Sequence, residues 1–255
     1  MNPKDIIENI DKIEKSHVYQ SGLKGAIDES GKALTTVLQA VNTVLLPVQG
    51  LIWGGEQIKC WLNESISKKL ESVPIENIIP PNPHIAGPTI EALKFTFQEQ
   101  ELREMFANLL ANSINSETSV NAHPAFVDII KSMNKNDALI LHELSIDSPI
   151  AIIDIGIINP KDKSVDYVAR NLSLLGKDNI SGHPWCSISS IDNLERMGLC
   201  TLIKSAALSN KDLYVEIEED AVIKQIIDQH SAKHIDKGGL EITQFGKMFV
   251  ATCIT

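Results

Sequence analysis

His230 and His234 stand one helical turn apart in DQHSAKHID, with Asp228 and Asp236 close by. On a helix that spacing puts two imidazoles on one face, which is how a zinc site begins, but a closed site needs further ligands. The surrounding sequence is polar and runs into Gly238-Gly239, so the pair reads as solvated. No metal is expected, and His230 and His234 are the candidates if one binds. His123 precedes Pro124 at the head of HPAFVDIIKSM, where an imidazole can accept from the first free amides of a helix. Capping is expected of it rather than catalysis. Glu99, Glu101 and Glu104 cluster near Arg103, a pattern that suits a locally paired, solvated helix face better than acid–base work.

Other reactive constellations are missing from the sequence. G-x-S-x-G, G-x-x-x-x-G-K-[ST] and H-E-x-x-H do not occur, so neither a nucleophile elbow, a phosphate loop nor a zinc-protease helix is encoded. Cys60, Cys186, Cys200 and Cys253 are widely spaced and form no C-x-x-C, which suits reduced thiols in a cytosolic protein. The opening MNPKDIIENIDKIEKSH lacks the basic start and apolar core of a signal peptide. No catalytic residue and no cofactor is assigned. The 23 basic and 33 acidic residues leave a net charge of −10, which repels nucleic acid unless the cations cluster.

The elements that must position these residues change character along the chain. An amphipathic helix is expected over 4–19, from Ile6, Ile10 and Ile13. Residues 33–55, ALTTVLQAVNTVLLPVQGLIWGG, then carry no charge at all. On a helix, Leu34, Val37, Leu38, Val41, Val44, Leu45 and Val48 form an apolar stripe, and Thr35, Gln39, Asn42 and Gln49 form a polar one. Pro47, Gly50, Gly54 and Gly55 cut the helix short of a comfortable membrane span. Two readings remain open for it. One is a hairpin buried in its own domain; the other is a latent membrane-active hairpin whose polar stripe (Thr35, Gln39, Asn42, Gln49) faces further copies.

A more polar helix is expected from Glu56 to Ser72, giving an N-terminal helical region over 1–72. Five prolines crowd residues 73–89, and Ile75, Ile78, Ile79 and Ile85 make this a docked connector rather than a loose linker. Gly87-Pro88 opens a long helix to about Asn115, and HPAFVDIIKSM and KNDALILHEL complete a central helical region over 90–146. Asn134 with Asp137 forms a capping box for the last of these.

After Asp147 the pattern turns to strands. PIAIIDIGII, LCTLIK, LYVEIE and GLEIT read as strands, while SISSIDNLERMG and QFGKMFVATCI read as helices. A helix, Gly198, a short strand, a wide excursion and a returning strand follow the order of a winged helix. The expected fold is thus mainly α with an α+β C-terminal part: a helical N-terminal and central bundle, then a winged-helix-like domain over 147–255. Its recognition-helix equivalent holds Asp192 and Glu195 against Arg196 alone, so a protein-binding wing is expected rather than a DNA reader.

Several blocks taken together resemble the bacterial Abi-alpha (abortive infection alpha) family, formerly a domain of unknown function. They are PPNPHIAGPTIEALKF, ELREMFANLLANSI, HPAFVDIIKSMNKNDALIL and ITQFGKMFVATC. Pro88, Glu101, Leu102, Arg103, Phe106, His123, Pro124 and Phe126 stand within the first three. The resemblance implies a role in defence against bacteriophage, by arrest of the infected cell, and brings no active site, substrate or cofactor with it. The expected protein is a non-enzymatic sensor or membrane-perturbing effector. It is cytoplasmic, becomes peripheral to the inner membrane when activated, and works through a protein partner, self-association or conditional membrane contact. A winged-helix DNA-binding regulator and an unrecognised hydrolase or nuclease are the alternatives.

Overall fold

The computed structural model describes residues 55–177, 185–204, 206–232 and 234–254. The helix expected over 4–19 and the uncharged stripe with Thr35, Gln39, Asn42 and Gln49 lie outside the described residues. The chain divides into two compact units, whose described parts are 55–94 with 110–120, and 95–109 with 121–254.

In the first unit, helix α1 (Gly55–Leu70) buries Ile58, Leu62, Ile66 and Leu70, one residue per turn along a single face. The connector is held by its backbone. A 3-10 turn at Ile75–Asn77 leads to an antiparallel bridge between Ile78 and Asn115. The Ile79 amide donates to the Ile114 carbonyl at 2.8 Å, and the Ser116 amide to the Asn77 carbonyl at 2.8 Å.

Helix α2 (Pro83–Thr96) begins before the expected Gly87-Pro88 start. Asn82 caps it, its side chain accepting from the His84 amide at 3.0 Å, and Pro83 takes the first helical position. Pro88 therefore lies inside the helix, on its exposed side, where it removes one backbone bond.

The long helix expected to reach Asn115 is also two helices. α2 stops at Thr96, and α3 (Gln100–Ile114) starts after a turn in which the Glu99 amide bonds the Thr96 carbonyl at 2.9 Å. Leu93, Phe97, Leu102 and Phe106 keep the apolar pattern running across the break, so periodicity hides it. Residues beyond Leu109 in α3 belong to the first unit and those before it to the second.

The second unit is built on a four-stranded antiparallel sheet in the order β2-β1-β4-β3, with β1 at Ile150–Ile158, β2 at Val165–Leu172, β3 at Cys200–Ile203 and β4 at His234–Ile242. Helices α4 (Ala125–Lys131) and α5 (Lys135–Ile146) precede the sheet. The capping box that starts α5 has both its bonds, Asp137 amide to Asn134 side chain at 3.0 Å and Asn134 amide to Asp137 side chain at 2.9 Å. Helix α6 (Trp185–Arg196) packs on α5 and on β2 and β3.

The segment LYVEIE, expected as a strand, is helix α7 (Asp212–Glu219), followed by α8 (Ala221–His230). Tyr214 and Ile217 are buried while Val215 is 47% exposed, so burial follows a period near three and not two. These helices cover one sheet face, where Tyr214, Ile217, Ile223 and Ile226 meet Ala151, Ile153, Ile155 and Ala169. The order α6, β3, excursion, β4 is present, with two helices filling the excursion. Helix α9 (Gln244–Cys253) closes the chain, its Thr243 cap accepting from the Gly246 amide at 2.9 Å.

Candidate functional site

Within the second unit, the first part of α3 and the helices α4 and α9, from three of the blocks singled out in the sequence, come together as framework. His123 Nδ1 accepts from the Ala125 amide at 3.1 Å, at the start of α4 behind Pro124. Its ring lies 6.0 Å from Phe126 and 6.1 Å from Phe245 of α9. Phe126, fully buried, packs at 5.3 Å from Phe245 and 5.1 Å from Phe249. Such tilted and edge-on pairs add modestly to burial and fix the crossing of α4 against α9. Asn108 Nδ2 also donates to the Cys253 carbonyl at 2.9 Å, tying α3 to the end of α9.

Arg103 serves the helix break: its Nη1 donates to the Phe97 carbonyl at 3.2 Å and its guanidinium lies 5.2 Å from the centre of the Phe97 ring. Glu101 pairs with Lys135 at 3.2 Å. The backbone amide at its own helix start, and then Lys135, hold its carboxyl below the ordinary range against the opposing effect of burial. Leu102 and Phe106 are core residues.

The densest group of polar side chains lies elsewhere, on the outer half of the sheet face opposite α7 and α8. Asp154 of β1 is 8% exposed at its side chain, and both its oxygens meet Lys204 Nζ, at 2.7 and 2.8 Å. The same ammonium donates to Asn171 Oδ1 at 2.5 Å. The Asn171 amide donates to Asp154 Oδ1 at 2.8 Å, and its side-chain nitrogen to Asp192 Oδ1 of α6 at 2.9 Å. Register breaks in the β1–β2 pairing around Ile155, together with the left-handed φ of 57° at Asn171, swing this part of β2 into the cluster.

Directly across from Asp154 on β4 is Asp236. It accepts from the Tyr167 hydroxyl and lies 3.0 Å from His234 Nε2. The Tyr167 bond, then His234 and Lys204, hold Asp236 below the ordinary carboxylate range, while the same bond to Asp236 raises the Tyr167 phenol. Arg170 stacks 4.1 Å from the Tyr167 ring centre. Each carboxylate in this group is an engaged acceptor, and the phenol is held neutral. The arrangement presents hydrogen-bonding and charged groups on one sheet face, with the Tyr167 hydroxyl already bound to Asp236.

Among known families, the one described as abortive infection alpha matches residues 55–253. The chain belongs to the abortive infection alpha family. Comparison with curated proteins and with solved structures returned no match.

The Abi-alpha match begins where the uncharged segment ends, so Thr35, Gln39, Asn42 and Gln49 fall outside it as well as outside the described residues. Of the residues picked from the sequence, His123, Pro124 and Phe126 are brought together, and Glu101, Leu102, Arg103 and Phe106 share α3, while Pro88 stands on α2. His230 and His234 are separated by a left-handed Ser231 that ends α8, so they do not share a helix face; His234 is the first residue of β4. Among the described residues no group of three or more His, Cys, Asp or Glu is placed to hold a metal ion.

Sequence reasoning passed over Asp154, Tyr167 and Asn171 of this Abi-alpha chain. The available signal was Asp154 itself, a lone carboxylate in the apolar run PIAIIDIGII, which has to find a partner if the strand is buried. Nothing local predicts Lys204 as that partner.

Proposed function

We propose that this chain is a non-enzymatic anti-phage protein of abortive-infection type that acts through protein contacts, with its N-terminal uncharged segment as the membrane-perturbing part. The observation that carries the defence reading is the family match over 55–253. Support for contact over chemistry comes from the sheet-face cluster, whose acids each already bind Lys204, Asn171, Tyr167 or His234. Self-association or a partner at the winged-helix-like half would then release the 33–55 segment towards the inner membrane. Among the described residues no helix is long and apolar enough to cross a membrane.

DNA regulation is the weaker reading. In α6, Asp192 bonds Asn171, Glu195 accepts from the Leu202 amide at 3.0 Å, and Arg196 is folded onto Asn193 at 2.8 Å. Such a helix offers a groove no free cation row.

Bacteria expressing the full chain, or the chain lacking 33–55, are challenged with phage while growth and membrane potential are followed. The full chain is expected to protect the culture with early loss of potential, and the deletion to do neither. Protection that persists in the deletion with unchanged potential rejects the membrane role; absence of protection by the full chain across a phage panel rejects the defence role.

A further inference from the structure

A cleft of about 740 Å³ opens in the second unit beside the end of α5, floored by Leu174, Leu213 and Ile217. A second, of about 360 Å³, is lined by Ile242 and Val250 with Glu241 and Lys247 at its edge. Ile146 and Ser148 line both, so the two clefts adjoin on either side of these residues and are taken together as one groove with Ile146 as its ridge. Ile146 at that ridge is 66% exposed, an isoleucine left in water at the end of a helix.

The shape favours an elongated occupant, since a compact small molecule fills one cavity and leaves the other side of the ridge wet. The charge favours a basic one. Glu143, Asp147 and Glu216 stand at the larger half and Glu241 at the smaller. Against these four carboxylates are two ammonium groups, of which Lys177 is bound to Asp220 at 2.8 Å. One of the acids, Glu143, is fixed in place by accepting from the Gly176 amide at 2.7 Å. The lining therefore combines apolar residues with an excess of carboxylates.

We infer that this groove is the docking site for an extended basic segment of a partner protein, in which apolar side chains flank a lysine or arginine. The apolar residues enter the two clefts on either side of Ile146, and the cation meets Asp147 and Glu216. This rests on the reading that the protein acts through protein contacts and names the chemistry of the partner.

The probe is a fluorescent peptide of about twelve alternating leucine and lysine residues, titrated against the full chain by polarisation. Binding is expected, and D147N/E216Q is expected to weaken it about tenfold, since both carboxylates oppose the cation. Ile146→Ser, at an exposed position and without a change of charge, is expected to weaken it through loss of the apolar ridge. The matching leucine–glutamate peptide should not bind. A control of equal charge change, Glu91→Gln with Asp166→Asn, should stay within about twofold of the parent. Circular dichroism and thermal melting of each variant exclude unfolding as the cause. Equal weakening by the control reduces the effect to bulk charge and overturns the proposal, as does unchanged binding in D147N/E216Q or no binding by the parent. The binding assay needs no phage, so its failure leaves the defence reading standing, and failed protection leaves the groove result standing.

Discussion

At the residue scale, the reactive groups of the protein are those the fold leaves in contact with water. Cys60 is exposed, whereas burial, with Glu195 adding to it, pushes the Cys200 thiol up to about 12. Burial also raises Cys253. Since the thiolate is the nucleophile, an alkylating reagent at pH 8 should label Cys60 in the native protein and reach Cys200 and Cys253 only in denaturant. Peptide mapping after labelling reads this directly.

Asp220 gives a second prediction at this scale. Its carboxylate caps α8 by accepting from the Val222 and Ile223 amides at 2.9 and 3.3 Å and pairs with Lys177. Burial acts to raise its pKa, but the Lys177 ammonium and the two amides outweigh it and leave it below its ordinary 3.8. A carboxyl lowered in the folded state contributes stability above its unfolded value and loses it as pH falls through the folded one. Asp220→Ala should therefore cost about 1–2 kcal/mol in urea unfolding at pH 7, most of it from the lost cap. The gap to the parent should shrink below about pH 3. Lys177 is 47% exposed at its side chain, so the ion pair itself adds little to that figure.

At the element scale, α9 is seated by backbone against backbone. The Thr243 amide donates to the Leu199 carbonyl at 3.0 Å and the Thr243 hydroxyl to the Gly198 carbonyl at 2.7 Å. Gly246 lets the helix come this close, because a Cβ there would run into the Leu199 carbonyl oxygen and crowd Ile242. Gly246→Ala should destabilise the protein by about 1–3 kcal/mol, as overpacking against rigid backbone does, with a lower melting temperature as the readout. Gly87 has open space at its Cβ position, so Gly87→Ala serves as the neutral counterpart.

For the whole molecule, charge and layout act together. The net charge of −10 is spread over a chain whose α6 turns its polar side chains inward to Asn171, Leu202 and Asp137. Specific duplex binding needs cations on phosphates and side chains free to reach bases. Gel-shift titration at about 150 mM salt should thus give no sequence-selective complex below micromolar protein. A tight, selective shift would restore the regulator reading.

What the sequence determined by itself were the features written within a few residues of one another. The α5 capping box, the proline start of α4, the α1 stripe and the strand β1 depend on spacing and local propensity, and each is legible from residue type. The family blocks are local in the same sense. Tertiary structure decided whatever depends on a distant partner. The break at Phe97–Glu99 exists because Arg103 satisfies the Phe97 carbonyl, though the apolar period runs on through it. LYVEIE alternates like a strand and is a helix because Tyr214 and Ile217 find a sheet face to cover, Tyr214 donating to the Gly238 carbonyl at 2.7 Å. Asp154 and Lys204 are 50 positions apart, and only the pairing of β1 with β4 and of β4 with β3 brings them within 2.7 Å. Local propensities are properties of a short window, whereas a buried charge is satisfied by whichever strand the topology lays beside it.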